Sequence, residues 1–230
     1  MKKYGKRYRA ALEKAEVGKR YDLKGAFATL FSLPATKFDE TVELALHLAV
    51  DPKQSDQMVR GRVQLPNGNG KDVRVIAFTK DPQAALKAGA CEAGLSDLME
   101  KIKGGWLDFD VAVSTTEAMK DVKILARLLG PKGLMPSPKA GTVTDDLAAC
   151  ITELKKGRVE FKMDKAANVQ LGIGKRSFGL EKLLANATAA LEAIRQARPS
   201  VFRGKFVLNG AISSTMSPGL LLDASVFAKF

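Results

Sequence analysis

Histidine and cysteine are scarce in this sequence, which has one histidine, His47, and two cysteines in 230 residues. Cys91 and Cys150 stand far apart and show none of the short spacings of a zinc site, and a single histidine cannot complete such a set. We therefore expect no metal site, and two free thiols rather than a disulfide.

Long hydrophobic runs are also missing. No apolar stretch approaches the roughly 18 residues that a membrane span needs. The N-terminal residues are basic, but no apolar segment follows them, so we expect no signal peptide, no membrane association and a cytoplasmic location.

The short motifs of catalysis are absent as well. Gly172 to Lys175 lacks both the leading glycine and the final hydroxyl of a phosphate loop. Gly68 to Gly70 begins like a dinucleotide fingerprint, but Val73 stands where the third glycine belongs, and the segment precedes its strand rather than following one. A catalytic triad could be built only around His47, and no motif supports one. We expect a protein that is not an enzyme and that uses no cofactor.

Positive charge is what the sequence has in excess. It contains 37 Lys and Arg against 25 Asp and Glu, a formal net charge of +12. Its hydrophobic fraction of 46% is high enough for folded cores. A basic excess of this size in a folded chain usually indicates a polyanion as partner, chiefly nucleic acid.

The hydrophobic pattern changes twice along the chain. Residues 1–66 and 159–230 alternate or repeat like half-buried strands and amphipathic helices. Residues 67–158 instead contain nearly continuous apolar runs at 73–78 and 109–113, typical of strands buried on both faces. The predicted fold class is α/β, with two domains: an α+β domain I from 1–66 and 159–230, and an inserted, doubly wound, Rossmann-like domain II from 67–158. Domain II holds 14 of the 37 basic residues and 12 of the 25 acidic ones. Domain I therefore holds 23 basic and 13 acidic residues, a net charge of +10.

Several elements are predicted in detail. Asp22 is expected to cap a helix that Pro34 stops, and Thr144 to cap a helix with Asp145 and Asp146 in its first turn. Further expectations are an alternating strand over 41–50, a short strand at 90–91, one helix over 117–129, a hairpin joining strands near 159–163 and 169–173, a helix over 178–197 and a last central strand over 206–212.

Three segments of domain I could bind RNA. Hydroxyl groups can bond to ribose and phosphate, an exposed aromatic or Met side chain can stack on a base, and Lys can meet phosphate. Each segment has the alternative of being a solvated turn, and Phe38 that of a core aromatic. The candidate residues are Ser213, Ser214, Thr215, Met216 and Ser217 in the first segment, Lys37, Phe38 and Thr41 in the second, and Asp164, Lys165, Lys175, Arg176 and Ser177 in the third.

A loop rich in glycine and proline runs from Leu129 to Thr142. It cannot continue a helix or strand, its prolines stiffen it, and Leu134 and Met135 are expected to pack. We interpret it as a rigid cationic surface loop that meets a partner, with an ordinary long connector as the alternative. Its characteristic residues are Gly130, Pro131, Lys132, Gly133, Pro136, Pro138, Lys139 and Gly141.

These segments resemble the family of the bacterial large-subunit ribosomal protein L1. The resemblance covers essentially the whole chain and is most specific at Lys6 to Arg9, Ala35 to Glu43, Gly130 to Thr142 and Thr215-Met216. It implies an inserted domain II joined by a two-stranded hinge, and a monomer when free. It also implies binding to 23S ribosomal RNA, a place in the mobile stalk of the large subunit beside exit-site tRNA, and repression of translation through the protein's own mRNA.

The resemblance also implies which residues contact RNA. They are Lys37, Phe38, Thr41, Asp164, Lys165, Ser213, Thr215, Met216 and Ser217. One position departs from the family, which usually has Gly where this chain has Ser217; the side chain could crowd the RNA, or Pro218 and Gly219 could shift the turn. Two other functions are weighed against RNA binding: a nucleotide-dependent enzyme using domain II, for which the glycines are missing, and a double-stranded DNA binder, for which no known DNA-binding motif is found.

Overall fold

The structure is a computed structural model that describes residues 4–16, 18–138 and 141–228. It mixes helices with strands and confirms the α/β class. The helices are α1 Lys6–Lys14, α2 Leu23–Ser32, α3 Pro82–Lys87, α4 Ser96–Lys103, α5 Met119–Val122, α6 Ala126–Leu129, α7 Leu147–Lys155 and α8 Leu180–Gln196. The strands are β1 Arg20–Tyr21, β2 Thr41–Leu48, β3 Arg60–Gln64, β4 Val75–Phe78, β5 Glu92–Gly94, β6 Val111–Ser114, β7 Arg158–Lys162, β8 Asn168–Lys175, β9 Val207–Ser214 and β10 Leu220–Leu222.

The chain divides into two compact units. Unit 1 takes its residues from 1–70 and 158–230, and unit 2 from 71–157. Unit 1 contains a five-stranded sheet in the order β1-β10-β9-β2-β8. Its strands pair antiparallel except for β1, which runs parallel to β10.

Strand β2 alternates as predicted. Val42, Leu44, Leu46 and Leu48 are buried, and they join α2 and α8 in one hydrophobic core. His47 lies on the other face, half-buried, with Nδ1 2.9 Å from Oδ1 of Asn168, as expected for a histidine that covers a sheet. The predicted cap of α2 is confirmed, because the Asp22 carboxylate accepts the backbone N–H of Gly25 at 3.2 Å.

The predicted hairpin of 159–163 with 169–173 is wrong. Strand β7 pairs with β3 in a separate two-stranded sheet, with Gly61 opposite Phe161, while β8 pairs with β2. The chain does reverse between them, since the N–H of Asp164 donates to the carbonyl of Asn168 at 2.8 Å. Alternation predicts which face of a strand is buried, but it carries no information on which strand pairs with it.

Unit 2 is built on the parallel sheet β5-β4-β6. All four residues of the central strand β4 are buried. Ile76 and Phe78 enter one core with α4 and α5, and Val75 and Ala77 enter a second core with α3 and α7. Helices therefore cover both faces of this sheet, as a continuous apolar run predicts.

The start of α7 differs from the prediction. Asp146, and not Thr144, is the N-cap, and its carboxylate accepts the N–H of Ala149 at 3.1 Å. Thr144 accepts the N–H of Asp146, while Asp145 accepts hydrogen bonds from Thr116 that hold the pKa of its carboxyl below the usual value. Thr144, Asp145 and Asp146 are all residue types that can cap a helix, so the sequence alone does not decide where α7 begins.

Other differences are smaller. The helix expected over 117–129 is broken into α5, a 3₁₀ turn at Lys123–Leu125 and α6, and the strand expected at 90–91 lies at Glu92–Gly94. The strand expected to be the last is followed by β10, and β1 was not predicted. With two and three residues, these strands are too short to show a period.

Cys91 is exposed, Cys150 is buried, and no disulfide joins them. None of the helices in the described part of the chain has the length and apolarity that a membrane span requires. Within the same residues, His, Cys, Asp and Glu side chains form no group of three suited to a metal ion.

Candidate nucleic-acid interface

Three strand ends meet at one edge of the five-stranded sheet. Because β2 runs antiparallel to both neighbours, its first residue lies beside their last ones: Thr41 is opposite Lys175, and Val42 is opposite Ser214. Lys175 Nζ donates to Thr41 Oγ1 at 2.9 Å. The structure thus brings together candidate residues that are far apart in sequence.

The turn after β9 is fixed to the start of β2. Thr215 accepts the N–H of Thr41 through its side chain, at 3.1 Å, and its own N–H donates to the Thr41 carbonyl at 3.0 Å. Half of the Met216 side chain is exposed, at 50%, and Phe38 is exposed at 53%. Phe38 is therefore not a core aromatic, and two large apolar side chains face solvent near hydroxyls and a lysine.

Ser213 and Ser214 end β9, and Ser217 lies in the turn that follows. Ser214 is buried, so its hydroxyl does not face solvent with the other candidates. Ser213 pairs with Glu43 across the strands and is half-buried. Ser217 points its Oγ into the turn, where it accepts the N–H of Ser214 at 2.8 Å and lies 3.0 Å from the Pro218 carbonyl. The hydroxyl of Ser217 is thus engaged within the protein.

A buried ion pair lies beneath the turn. Glu40 is 1% exposed, and its Oε2 accepts from Arg176 at 2.8 Å. Nη2 of Arg176 also donates to the carbonyls of Phe31 at 3.2 Å and Leu33 at 2.7 Å. The other carboxylate oxygen of Glu40 accepts the backbone N–H of Met216 at 3.2 Å.

Sequence reasoning gave no role to Glu40. A glutamate in a polar segment ahead of a strand is normally exposed, and only the tertiary position of Arg176 explains its burial. The one sequence feature that pointed to a buried partner for Glu40 was the position of Arg176 between the candidates Lys175 and Ser177.

The segment before β2 is tied to the end of β8. Ser177 donates from both its N–H and its hydroxyl to the Asp39 carboxylate, at 3.1 and 2.6 Å. Thr36 Oγ1 donates to the carbonyl of Phe38 at 2.8 Å. These bonds fix the backbone around Lys37 and Phe38, while both side chains stay exposed.

Asp164 and Lys165 lie elsewhere. They precede β8, whose first residue pairs with His47, six residues along β2 from Thr41. At 3.3 Å per residue this is about 20 Å from the cluster. Asp164 Oδ1 accepts the N–H groups of Ala166 and Asn168, both at 2.8 Å, and these bonds lower the pKa of its carboxyl, that of Asn168 most. Both residues are exposed on a tight turn, so they mark the far end of the same sheet rather than its edge at Thr41.

The loop rich in glycine and proline (the Gly/Pro loop) lies in unit 2, and its described residues pack and bond within that unit. Leu134 and Met135 pack against the core of α4 and α5, as predicted. Gly133 and Gly141 have φ of 71° and 65°, whereas Gly130 is needed for space, because a Cβ there would come 2.6 Å from the Ala126 carbonyl oxygen. Pro136 is buried, and Pro131, Lys132 and Pro138 are exposed. Lys139 lies outside the described residues.

This surface combines exposed lysine, aromatic and thioether side chains with hydroxyl groups, and it belongs to a basic unit. Such a combination is typical of a nucleic-acid-binding protein rather than of an enzyme. A family model supports this class. The chain belongs to the Ribosomal protein L1p/L10e family, whose model matches residues 30–218.

Individual relatives agree with the family. The chain is 48% identical over 227 residues to the "Large ribosomal subunit protein uL1" of Leifsonia xyli subsp. xyli, covering 98% of this chain and 99% of the relative. It is 48% identical over 232 residues to the protein of that name in Nitratidesulfovibrio vulgaris strain DP4, covering 100% and 99%. It is 45% identical over 225 residues to that of Chlamydia caviae, covering 97% of each. The expected family is confirmed, and with it a ribosomal, non-enzymatic protein.

Proposed function

We propose that this protein is a constituent of the large ribosomal subunit that binds 23S ribosomal RNA through the sheet edge of unit 1. The observation that carries the proposal is the meeting of Thr41, Lys175 and the Thr215-Met216 turn at one edge, with Phe38 exposed. The charge supports it, because the predicted domain I segments hold +10 of the net +12. The printed names of the relatives give the large subunit as the assembly.

Recognition would use shape and ribose contacts. Lys37 and Lys175 meet phosphates, and Phe38 and Met216 lie against bases or sugars. The Thr215 hydroxyl bonds to the N–H and the carbonyl of Thr41 and keeps one acceptor lone pair for a ribose 2′-OH. Such contacts distinguish RNA from DNA, since DNA lacks the 2′-hydroxyl.

We further propose the finer roles that the resemblance implies. The protein works in the cytoplasm as part of the mobile stalk that assists release of deacylated tRNA from the exit site. It represses translation of its own mRNA through the same edge, which binds one RNA at a time. Unit 2, with the Gly/Pro loop, is the part available for tRNA. The free protein is a monomer.

The test is binding of the full-length protein to a 23S rRNA transcript across a salt series. If about five cations meet phosphates, log K falls against log salt with a slope between about −3.5 and −4.5. Duplex DNA of equal length should compete poorly at physiological salt. A slope near zero, or equal competition by DNA, would refute the proposal.

A pair of variants locates the site. Met216→Asp places a negative charge at the edge and should weaken binding more than tenfold, about 1.4 kcal/mol. Ile124→Asp makes the same substitution at an apolar side chain of unit 2 that is 67% exposed, and should leave the affinity unchanged. Equal effects of the two would remove the Met216 turn from the interface.

A further inference from the structure

Helix α1 reaches the Met216 turn through one side chain. Arg7 donates from one guanidinium nitrogen to the Met216 carbonyl at 2.6 Å, and from the other to the Pro34 carbonyl at 3.3 Å. Arg7 belongs to the segment Lys6 to Arg9, to which no function has been assigned so far. Its side chain is half-buried, whereas that of Arg9 is exposed.

The backbone of Met216 is consequently held from both sides. Its N–H donates to the buried Glu40 carboxylate, and its carbonyl accepts from Arg7. Hydrogen bonds to charged groups are stronger than those between neutral ones, and each of these also joins a different part of unit 1 to the turn. The planar fork of arginine holds two donor nitrogens at a fixed spacing that suits two carbonyls, whereas the donors of an ammonium group all lie on one nitrogen.

We propose that Arg7 is a positioning residue for RNA binding: it fixes the Met216 turn, and through it the Thr215 hydroxyl and the Met216 side chain, in the conformation that meets RNA. The proposal rests on the proposed function of this edge. Both terminal guanidinium nitrogens of Arg7 donate to carbonyls of the protein, so Arg7 acts on affinity by ordering the turn before the RNA arrives. Order that exists in the free protein need not be created on binding, and this raises affinity.

The experiment compares Arg7→Met, Arg7→Lys and the control Arg9→Met in the full-length protein, with a 23S rRNA transcript across a salt series. Arg7→Met should weaken binding about tenfold, since a charged hydrogen bond to the turn is lost, with the salt slope unchanged. Arg7→Lys should weaken binding at least about threefold although the charge is kept. Arg9→Met removes the same charge from the exposed side of the same helix and should stay within about twofold of the wild type.

Three outcomes would overturn the inference. Wild-type affinity in Arg7→Met or in Arg7→Lys would show that the bridge is dispensable. A salt slope shallower by about 0.7 to 0.9 in Arg7→Met would identify Arg7 as a direct phosphate contact. Equal losses in Arg7→Met and Arg9→Met would point to charge alone.

Amide hydrogen exchange of the free protein gives a readout that needs no RNA. In Arg7→Met the Met216 amide should exchange at least about fivefold faster, and a thermal melt should show that the variant is folded at the temperature of the measurement, because only the turn loosens. Unchanged exchange would overturn the inference. Faster exchange together with a wild-type protein that ignores 23S rRNA would instead leave the positioning intact and refute the proposed function.

Discussion

Thr41 and Thr215 bind each other across 174 residues of sequence, with the Thr41 N–H donating to Thr215 Oγ1 at 3.1 Å and the Thr215 N–H donating to the Thr41 carbonyl at 3.0 Å. The pair continues the β2–β9 ladder by one residue past Val42 and Ser214. These two bonds anchor the Thr215-Met216 turn to the sheet and restrict its motion. A rigid turn suits a surface that recognises RNA by shape.

Thr215→Ala should therefore weaken binding of 23S rRNA by about five- to tenfold, since about 1 kcal/mol of hydrogen bonding that orders the turn is lost. Folding should be unaffected, because Thr215 is exposed and the strand ladder remains. Titration with the transcript, together with a thermal melt, checks both statements.

Ser214→Ala is the matched control. The Oγ of Ser214 is the one buried side-chain oxygen or nitrogen without a hydrogen-bond partner in the described residues. Removing it should leave RNA affinity unchanged and should not lower stability, with a gain of up to about 1 kcal/mol. If both variants lost affinity equally, the effect of Thr215→Ala could not be assigned to its bonds with Thr41.

Ser217 stands where the family usually has glycine, and the structure suggests what its side chain does. Ser217 is not among the non-glycine residues with positive φ, so its backbone does not require glycine. Its Oγ bonds to the N–H of Ser214 within the turn. We expect Ser217→Gly to lower stability by about 1 kcal/mol, from the lost bond and the greater freedom of the unfolded chain.

The same variant should bind 23S rRNA about threefold more weakly, because a looser turn must be ordered on binding. Chemical denaturation and RNA titration measure the two effects. Tighter binding by Ser217→Gly would mean that the serine crowds the RNA, as the comparison with the family first suggested.

The sequence was sufficient where one local signal dominates. The alternation of β2, the Asp22 cap and the buried run of β4 follow directly from periodicity and capping chemistry, and each was predicted correctly. The packing of Leu134 and Met135 was also predictable from the sequence, because large apolar side chains in a stiff, proline-rich loop are usually buried against a core.

Long-range pairing could not be predicted in the same way. The residues of β7 and β8 do not specify that β7 pairs with β3 and β8 with β2. The burial of Glu40 depends on Arg176, which lies 136 residues away in sequence. The hydrogen bond from Arg7 to the Met216 carbonyl joins residues that are 209 positions apart. For the same reason, residues grouped by sequence, such as Asp164 with Lys175, lie at opposite ends of β8.

Unit 1 should retain most of the RNA affinity by itself. The candidate edge and nearly all the excess charge belong to it, so removing residues 71–157 and joining Gly70 to Arg158 by a short Gly-Ser linker should change the Kd less than about threefold. Circular dichroism and a thermal melt establish that the shortened protein folds. A tenfold loss in a folded variant would show that unit 2 takes part in binding this RNA.

Unit 2 should lose stability in acid through one carboxylate. Asp110 accepts from Lys71 Nζ at 2.8 Å and from the N–H and Nε of Arg74 at 3.1 and 3.3 Å. Lys71 contributes most, and together these groups lower the pKa of Asp110 to about 2 from 3.8. A carboxyl whose pKa is lower in the folded state stabilises it above its unfolded pKa, and this contribution is lost as the pH falls from about 4 towards 2.

Asp110→Asn should accordingly be less stable than the wild type at pH 5.5 by about 1 kcal/mol, a modest value because the Lys71 head is exposed and screened. The difference should shrink steadily as the pH is lowered to 2. Urea unfolding followed by the fluorescence of Trp106, the single tryptophan, reports on unit 2 because this ring packs against its core. Lys71→Met should reproduce part of the loss at pH 5.5, and a difference between wild type and Asp110→Asn that stays constant from pH 5.5 to 2 would contradict the assignment.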